Sequence, residues 1–328
     1  MEKQTKRSYL VNFVLVALLY GVLFGLMQAG VIDRYYGGIL TLVCINIIMA
    51  VSLNLTTGFL GQLVLGHAGF MAVGAYTAAL FTMNVALPAG VAFPIALILS
   101  GVAAALIGVV IGIPALRLRG DYLAIITLGF GEIIRVIFLN MEVTGGALGL
   151  RGIPSYTTFT WVFVLAVVTI FVVRTFIRSR HGRAVIAIRE DEIAAEASGI
   201  NTTRYKMIAF VLAAAMAGVA GGLYAHYIGV IAPAKFDFNY SIEFLVMVVL
   251  GGMGSITGSV LAAIVLTILP QLLLDFATYR MLIYSVLLIA MMLFRPQGLL
   301  GRYEFSLNRL FGARKNKKND TPVHKEEA

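Results

Sequence analysis

No Asp, Glu, Lys or Arg occurs between Arg34 and Arg117, and this run limits the fold more than any other feature of the chain. A water-facing surface of that length cannot go without charge, whereas helices facing lipid require its absence. The composition agrees. Of 328 residues 60% are hydrophobic and 12% charged, and the mean hydropathy is +0.92, outside the range of soluble globular chains. The chain reads as an all-α polytopic membrane protein whose apolar surface is covered by lipid.

A crossing helix takes about 20 apolar residues. Ten segments meet or approach that length: 9–32, 38–56, 70–86, 91–116, 122–140, 158–177, 207–231, 241–253, 256–274 and 279–294, the eighth unusually short. The first follows Lys3, Lys6 and Arg7, is longer than the apolar part of a cleaved leader and lacks a small-residue cleavage pattern, so it reads as a retained helix. Basic residues near helix ends stay on the cytoplasmic side. Threading ten spans with the N-terminus inside puts residues 1–8, Arg117, Arg119, the loop 178–206 and the basic tail 301–328 on that side. Both termini are therefore predicted to be cytoplasmic, with a transmembrane domain over 9–300. The segments left outside, 33–37, 87–90, 141–157 and 232–240, carry few basic residues.

The net charge of +9 comes largely from the cytoplasmic ends, including Arg314, Lys315, Lys317 and Lys318. Topology and anionic lipid account for it, and no nucleic-acid partner is implied. The lone Cys44 can form no internal disulfide. His67, His181, His226 and His324 fall into no metal-ligand or nucleophile pattern, so neither a metal site nor a catalytic residue is predicted.

Two apolar regions contain glycine clusters that should interrupt the backbone. In TGFLGQLVLGHAG (57–69), Gly58, Gly61, Gly66 and Gly69 surround Gln62 and His67; in LGGMGSITG (250–258), Gly251, Gly252 and Gly254 precede Gly258. Backbone groups freed in lipid are costly, so such segments must be enclosed by protein or line a wet cavity. Interrupted helices in both halves of a chain point to a transport pathway. Glu132 and Arg135, midway along the fifth span and three residues apart, share a helix face. Charges at that depth must pair with each other or line the pathway. Glycines four apart, such as Gly108/Gly112 and Gly218/Gly222, predict close helix packing within the chain.

The loop 178–206 alternates basic residues, among them Arg178, Arg183, Arg189 and Lys206, with Glu190, Asp191, Glu192 and Glu196. Residues 190–198 are rich in Glu and Ala, and Gly199 can end a helix there. This loop looks built to hold a partner.

Taken together, the stretches SLNLTTGFLGQLVLGHAGFMAVGAY (52–76), RGDYLAIITLGFGEIIRV (119–136), TGGALGLRGIP (144–154), GRAVIAIREDEIAAEASGIN (182–201), VLGGMGSITG (249–258) and LFRPQGLLG (293–301) resemble permease subunits of branched-chain amino-acid ABC importers, of the LivM type. The resemblance spans about 45–301. It implies a half-permease of a bacterial or archaeal inner membrane, paired with a sister permease, two cytoplasmic ATPase subunits and an extracytoplasmic binding protein. It also implies that ATP and Mg are used by the partners and that this chain binds no cofactor. Consistently, the sequence has no G-x-x-x-x-G-K-[ST] phosphate loop; the Gly-rich run 251–258 lacks Lys.

The resemblance gives the charged loop a role as a coupling helix received by an ATPase, with Glu190, Asp191, Glu192, Ile193, Ala194, Ala195, Glu196, Ala197 and Gly199 forming it. Ile193, Ala194 and Ala197 would pack and the charges fix register. The usual form in ABC importers is Glu-Ala-Ala, three residues, then Gly; Ala194, Ala195 and Gly199 match, but Ile193 stands at the Glu position. Ala147 stands where relatives more often carry Pro after the paired glycines, which leaves the outer loop less rigid. In that loop Thr144, Gly145, Gly146 and Gly149 are expected to meet the binding protein. Such permeases serve leucine, isoleucine and valine, and also other amino acids, urea and short amides. A self-sufficient secondary transporter is disfavoured, since it would need more intramembrane carboxylates than Glu132 and Glu243.

Overall fold

The computed structural model describes residues 2–272 together with 285, 286, 289, 293, 294, 298 and 301, with side chains described from residue 14 onward. Most of the tenth predicted span, 279–294, and of the tail 301–328 therefore lies outside the described residues.

The chain divides into two compact units after Arg34. The described part of the first is residues 2–34, chiefly α1 (Glu2–Gln28), which takes in most of the predicted N-terminal segment 1–8. The second is helical almost throughout: α2 (Arg34–Asn54), α3 (His67–Asn84), α4 (Ala89–Ala115), α5 (Asp121–Asn140), α6 (Phe159–Arg178), α7 (Arg180–Glu190), α8 (Glu192–Ala197), α9 (Thr202–Ile228), α10 (Phe238–Gly251) and α11 (Ile256–Leu272). Two short strands, β1 (Leu150–Arg151) and β2 (Val230–Ile231), pair antiparallel, Leu150 opposite Ile231.

Among the described residues, 5 helices are long and apolar enough to cross a membrane: Arg34–Phe59, Ala89–Ala115, Asp121–Asn140, Phe159–Arg178 and Thr202–Ile228. These match the second, fourth, fifth, sixth and seventh predicted spans. The third and eighth appear as helices of 18 and 14 residues that begin or end within the glycine clusters, and the described part of the ninth begins within the second cluster. The chain is thus an all-α, multi-pass membrane protein.

The core is the packing of α3, α4 and α9. Helices in lipid gain nothing from water exclusion against one another, so they associate through close contact of small residues. A Cβ at Gly74 on α3 would lie 2.0 Å from the Gly218 carbonyl oxygen on α9, and one at Gly218 would lie 2.4 Å from the Ala104 Cβ on α4. Ala75, Ala78, Ala214 and Ala217 are fully buried around them. Gly108, Gly112, Gly218 and Gly222 all face neighbours of the same chain, as their spacing predicts. Coverage differs sharply between spans: 78% of the α2 window is buried by protein but only 28% of α5 and 22% of α6. α2 is a central helix, and α5 and α6 are peripheral.

Candidate functional site: a junction of two broken helices and a charged loop

α2 does not end cleanly. Its last turn widens into a π turn over Leu55–Phe59, with Leu60 N donating to the Leu55 carbonyl at 3.2 Å and Gln62 N to the Thr56 carbonyl at 3.0 Å. Gly61 then turns the chain at φ +76°, and residues 60–66 run without regular structure to Gly66, the cap of α3. Backbone groups released here find side chains: Leu65 N donates to Thr127 Oγ1 at 3.1 Å and Ala68 N to Ser241 Oγ at 3.1 Å. His67, the first residue of α3, is buried and shares a 2.8 Å hydrogen bond with Ser52 Oγ. His67 thus serves as a hydrogen-bonding residue at a helix end. Thr57 Oγ1 and Gln62 Oε1 are buried and have no hydrogen-bond partner among the described residues.

The second interruption separates α10 from α11 at Gly252–Ser255, with Gly251 ending α10 and Gly252 and Gly254 at φ +107° and +85°. The two breaks meet. Asn54 Oδ1 accepts from Gly254 N at 2.9 Å, and Asn54 Nδ2 donates to the Ser255 carbonyl at 2.9 Å. Contact is so close that a Cβ at Gly58 would lie 2.3 Å from the Gly254 nitrogen. Asn54 is fully buried; it is the polar staple between segments some 200 residues apart.

The charged loop reaches the same place. α7 ends at Glu190 and α8 begins at Glu192, so the predicted helix over 190–198 is shorter and set off by a kink. Asp191 makes that kink: it is extended, and its Oδ1 caps α8 by accepting from Ile193 N at 2.9 Å and Ala194 N at 3.0 Å. Gly199, at φ +83°, ends the segment in the left-handed conformation that glycine tolerates. Arg189, at the end of α7, donates from Nη1 to the Gly58 carbonyl at 3.0 Å and pairs with Glu190.

α8 is fixed underneath and open above. Glu192 Oε1 lies 2.7 Å from Lys206 Nζ, whose side chain is 3% exposed, and 3.4 Å from Arg119. Ala195 is buried against the loop, whereas Ile193 (70% exposed), Ala194, Glu196 and Ala197 face outward. α8 thus presents Ile193 as an exposed apolar side chain on a helix braced from below.

On α5, Arg135 Nε donates to Glu132 Oε2 at 2.7 Å, which settles the pairing left open by the sequence. Glu132, Gly69, Gly131, Asp237 and Ser241 come together between α5, the first break and the start of α10. Glu132 and Arg135 therefore lie beside the 60–66 segment, whereas Gly251, Gly252 and Gly254 belong to the Asn54 junction.

Thr144, Gly145, Gly146 and Gly149 lie elsewhere, past Asn140 at the opposite end of α5 from Arg119. Thr144 ends one 3-10 turn (Glu142–Thr144), Gly146 begins another (Gly146–Leu148), and Gly145 and Gly149 have positive φ. Thr144 Oγ1 donates to the Phe138 carbonyl at 2.6 Å, and Gly149 packs against Ile231 beside the β1–β2 pair. Val143 and Leu148 stand exposed on this platform.

The reading of the sequence anticipated the loop and both breaks but not Asn54, Arg189 and Ser255 as their connection. A lone Asn at the end of an apolar span was the available signal.

A multi-pass helical bundle with two interrupted helices, tied by hydrogen bonds to a charged loop, defines a transport-type membrane subunit. Residues 35–295 match the family described as branched-chain amino acid transport system / permease component, and the chain belongs to that family of transport permeases. It is 40% identical over 323 residues (88% of this chain, 74% of the relative) to the high-affinity branched-chain amino acid transport system permease protein LivM of Salmonella typhimurium. Identity to LivM of Escherichia coli is also 40%, over 324 residues with the same coverage of each chain. The Escherichia coli permease protein LivH is 37% identical over 146 residues, 44% of this chain and 47% of that protein. No solved structure matches.

Proposed function

We propose that the chain is one of two membrane-spanning permease subunits of an ATP-driven importer for branched-chain amino acids, seated in the inner membrane with both termini cytoplasmic and ten spans. Similarity to both LivM and LivH supports a permease pair, with this chain on the LivM side. A soluble binding protein delivers leucine, isoleucine or valine to the outer face, and two ATPase subunits that bind ATP and Mg work from the cytoplasm.

The observation that carries the mechanical part is the form of α8: a capped helix braced through Glu192 to Lys206 and Arg119, presenting Ile193, Ala194, Glu196 and Ala197 outward. Docked on an ATPase, such a helix passes on the closure of that subunit as a rigid displacement. Glu192 is engaged internally, so Glu196 is the carboxylate available to the partner in place of the one missing at Ile193. At the other end, Thr144, Gly145, Gly146 and Gly149 shape the platform that receives the binding protein. The route passes Gly58, Gly61, Gln62, Gly66 and His67, the Glu132–Arg135 pair, and Gly251, Gly252 and Gly254. Charge on poorly covered α5 fits a face turned to protein or water, while the apolar uncovered face of α6, with Val164, Val168 and Phe171, fits lipid.

Vesicles holding this chain, its sister permease and both ATPases test the reading. With loaded binding protein outside and ATP on the cytoplasmic face they should accumulate branched-chain amino acids, and calorimetry on the binding protein separates these from urea or short amides. Accumulation by this chain alone, driven by an ion gradient, would end the proposal.

A further inference from the structure

We infer that Arg189 is the positioning residue that carries movement of α8 to the two broken helices. The inference rests on the coupling role proposed for α8 and names the link inside this chain.

Arg189 stands where such a link is required. Only Glu190 and Asp191 separate it from α8, so α8 cannot shift without drawing on the end of α7. Its side chain is 20% exposed, against 64% for Arg119, so it is not a solvated loop charge. Its stem covers the first break: a Cβ at Gly61 would lie 2.6 Å from Arg189 Cγ. Its Nη1 holds the Gly58 carbonyl at 3.0 Å and lies 3.0 Å from where a Cβ of Gly254 would stand. One guanidinium thus spans both breaks at the point where Asn54 staples them.

The chemistry suits the position. A carbonyl in an interrupted membrane helix needs a donor, and a charged donor makes a stronger bond than a neutral one. Nε and Nη2 are held by Glu190, the former at 3.2 Å, which fixes the plane of the fork while Nη1 remains on Gly58. A lysine, with a single point of charge, cannot make both contacts from a preset plane. Displacement of α8 then pulls Gly58 directly, and pulls Gly254 and Ser255 through Asn54, so the two breaks move as one body. Gly58 and Gly254 must be glycine for the guanidinium and the staple to share that space.

The test uses the complete transporter in vesicles, with the ratio of ATPase rate with and without loaded binding protein as the readout, alongside recovery of the ATPases with the permease pair. Arg189→Met should still co-purify with the ATPases while that ratio falls at least ~5-fold, the lower end of ordinary coupling energies. Arg189→Lys should fall between Met and wild type. Asn54→Leu, which cuts the staple but leaves Arg189, should uncouple in the same way. Wild-type ratios in Arg189→Met, or loss of the ATPases from an otherwise intact permease pair, would overturn the inference; the second result would make Arg189 part of the docking face. Should Arg189→Met fail to assemble, Asn54→Leu decides: normal coupling there sinks the link. Ala197→Arg separates the two proposals, because ATPases that still bind and couple with a bulky charge on the outer face of α8 contradict the coupling role itself.

Discussion

Gly74 and Gly218 sit on unbroken helices, keep their helical backbone, and bring α3 and α9 into contact. Gly58 and Gly254 lie where helices have come apart, and side chains from distant segments take up the freed backbone groups. The same residue type serves rigidity in one place and separation in the other. In the core, contact is between backbones and has nowhere to go. At the junction it runs through Asn54 and Arg189, whose hydrogen bonds can be exchanged at a cost of about 1–3 kcal/mol each. A transporter needs both, a body that holds its shape and a seam that does not.

The comparison can be broken most severely in the core. Gly74→Val puts a side chain against the Gly218 carbonyl, where a Cβ would lie 2.0 Å away, and neither backbone can yield. Overpacking costs of ~1–3 kcal/mol and upward should leave no monodisperse permease in detergent size-exclusion chromatography. Next in size is the brace under α8. Glu192→Ala leaves the Lys206 ammonium buried without its partner, a loss of about 3 kcal/mol that should appear as lower thermal stability and faster proteolysis of the loop. Replacing both, Glu192→Leu with Lys206→Met, should restore most of that stability.

A smaller effect on stability but a specific effect on function is expected from Gly58→Ala. The new methyl would lie 1.8 Å from Asn54 Oδ1 and 2.3 Å from the Gly254 nitrogen; it displaces the staple at a cost of about 2 kcal/mol and pushes apart two segments that, unlike α3 and α9, are not held in continuous helix. The permease pair should assemble while uptake falls by roughly tenfold or more. Equal damage to assembly and uptake would mean that the junction is only another piece of core. The smallest change is Asp191→Ala, which removes the α8 cap at a cost of about 1 kcal/mol; ATPase association measured by titration should weaken ~5-fold.

Much of this was legible in the sequence because the physics is local. The charge-free run between Arg34 and Arg117 forces helices into lipid, and glycine clusters at 57–69 and 250–258 mark where they must break. Helical spacing put Glu132 and Arg135 on one face, with their pairing left to the structure, and Gly199 followed from its place after an Ala/Glu segment. What could not be read was partnership at long range. Nothing near Asn54 in the sequence says that it bonds to Gly254 and Ser255, and nothing in 178–206 distinguishes Arg189 from Arg183, although the first is inserted between two breaks and the second is exposed. The split at Asp191 was missed for a related reason: capping by its carboxylate competes with continued helix, and the long-range hold of Lys206 and Arg119 on Glu192 has no signal in the local sequence.

The contrast between core and junction is tested most directly by thiol accessibility in the assembled transporter. With Cys44 replaced by Ala, single cysteines at Thr57, buried at the junction, and at Ala78, buried in the core, are exposed to a water-soluble thiol reagent with and without ATP. Thr57→Cys should react many times faster when ATP is turned over, and Ala78→Cys should stay unreactive throughout. Equal and unchanging protection at both positions would contradict the account.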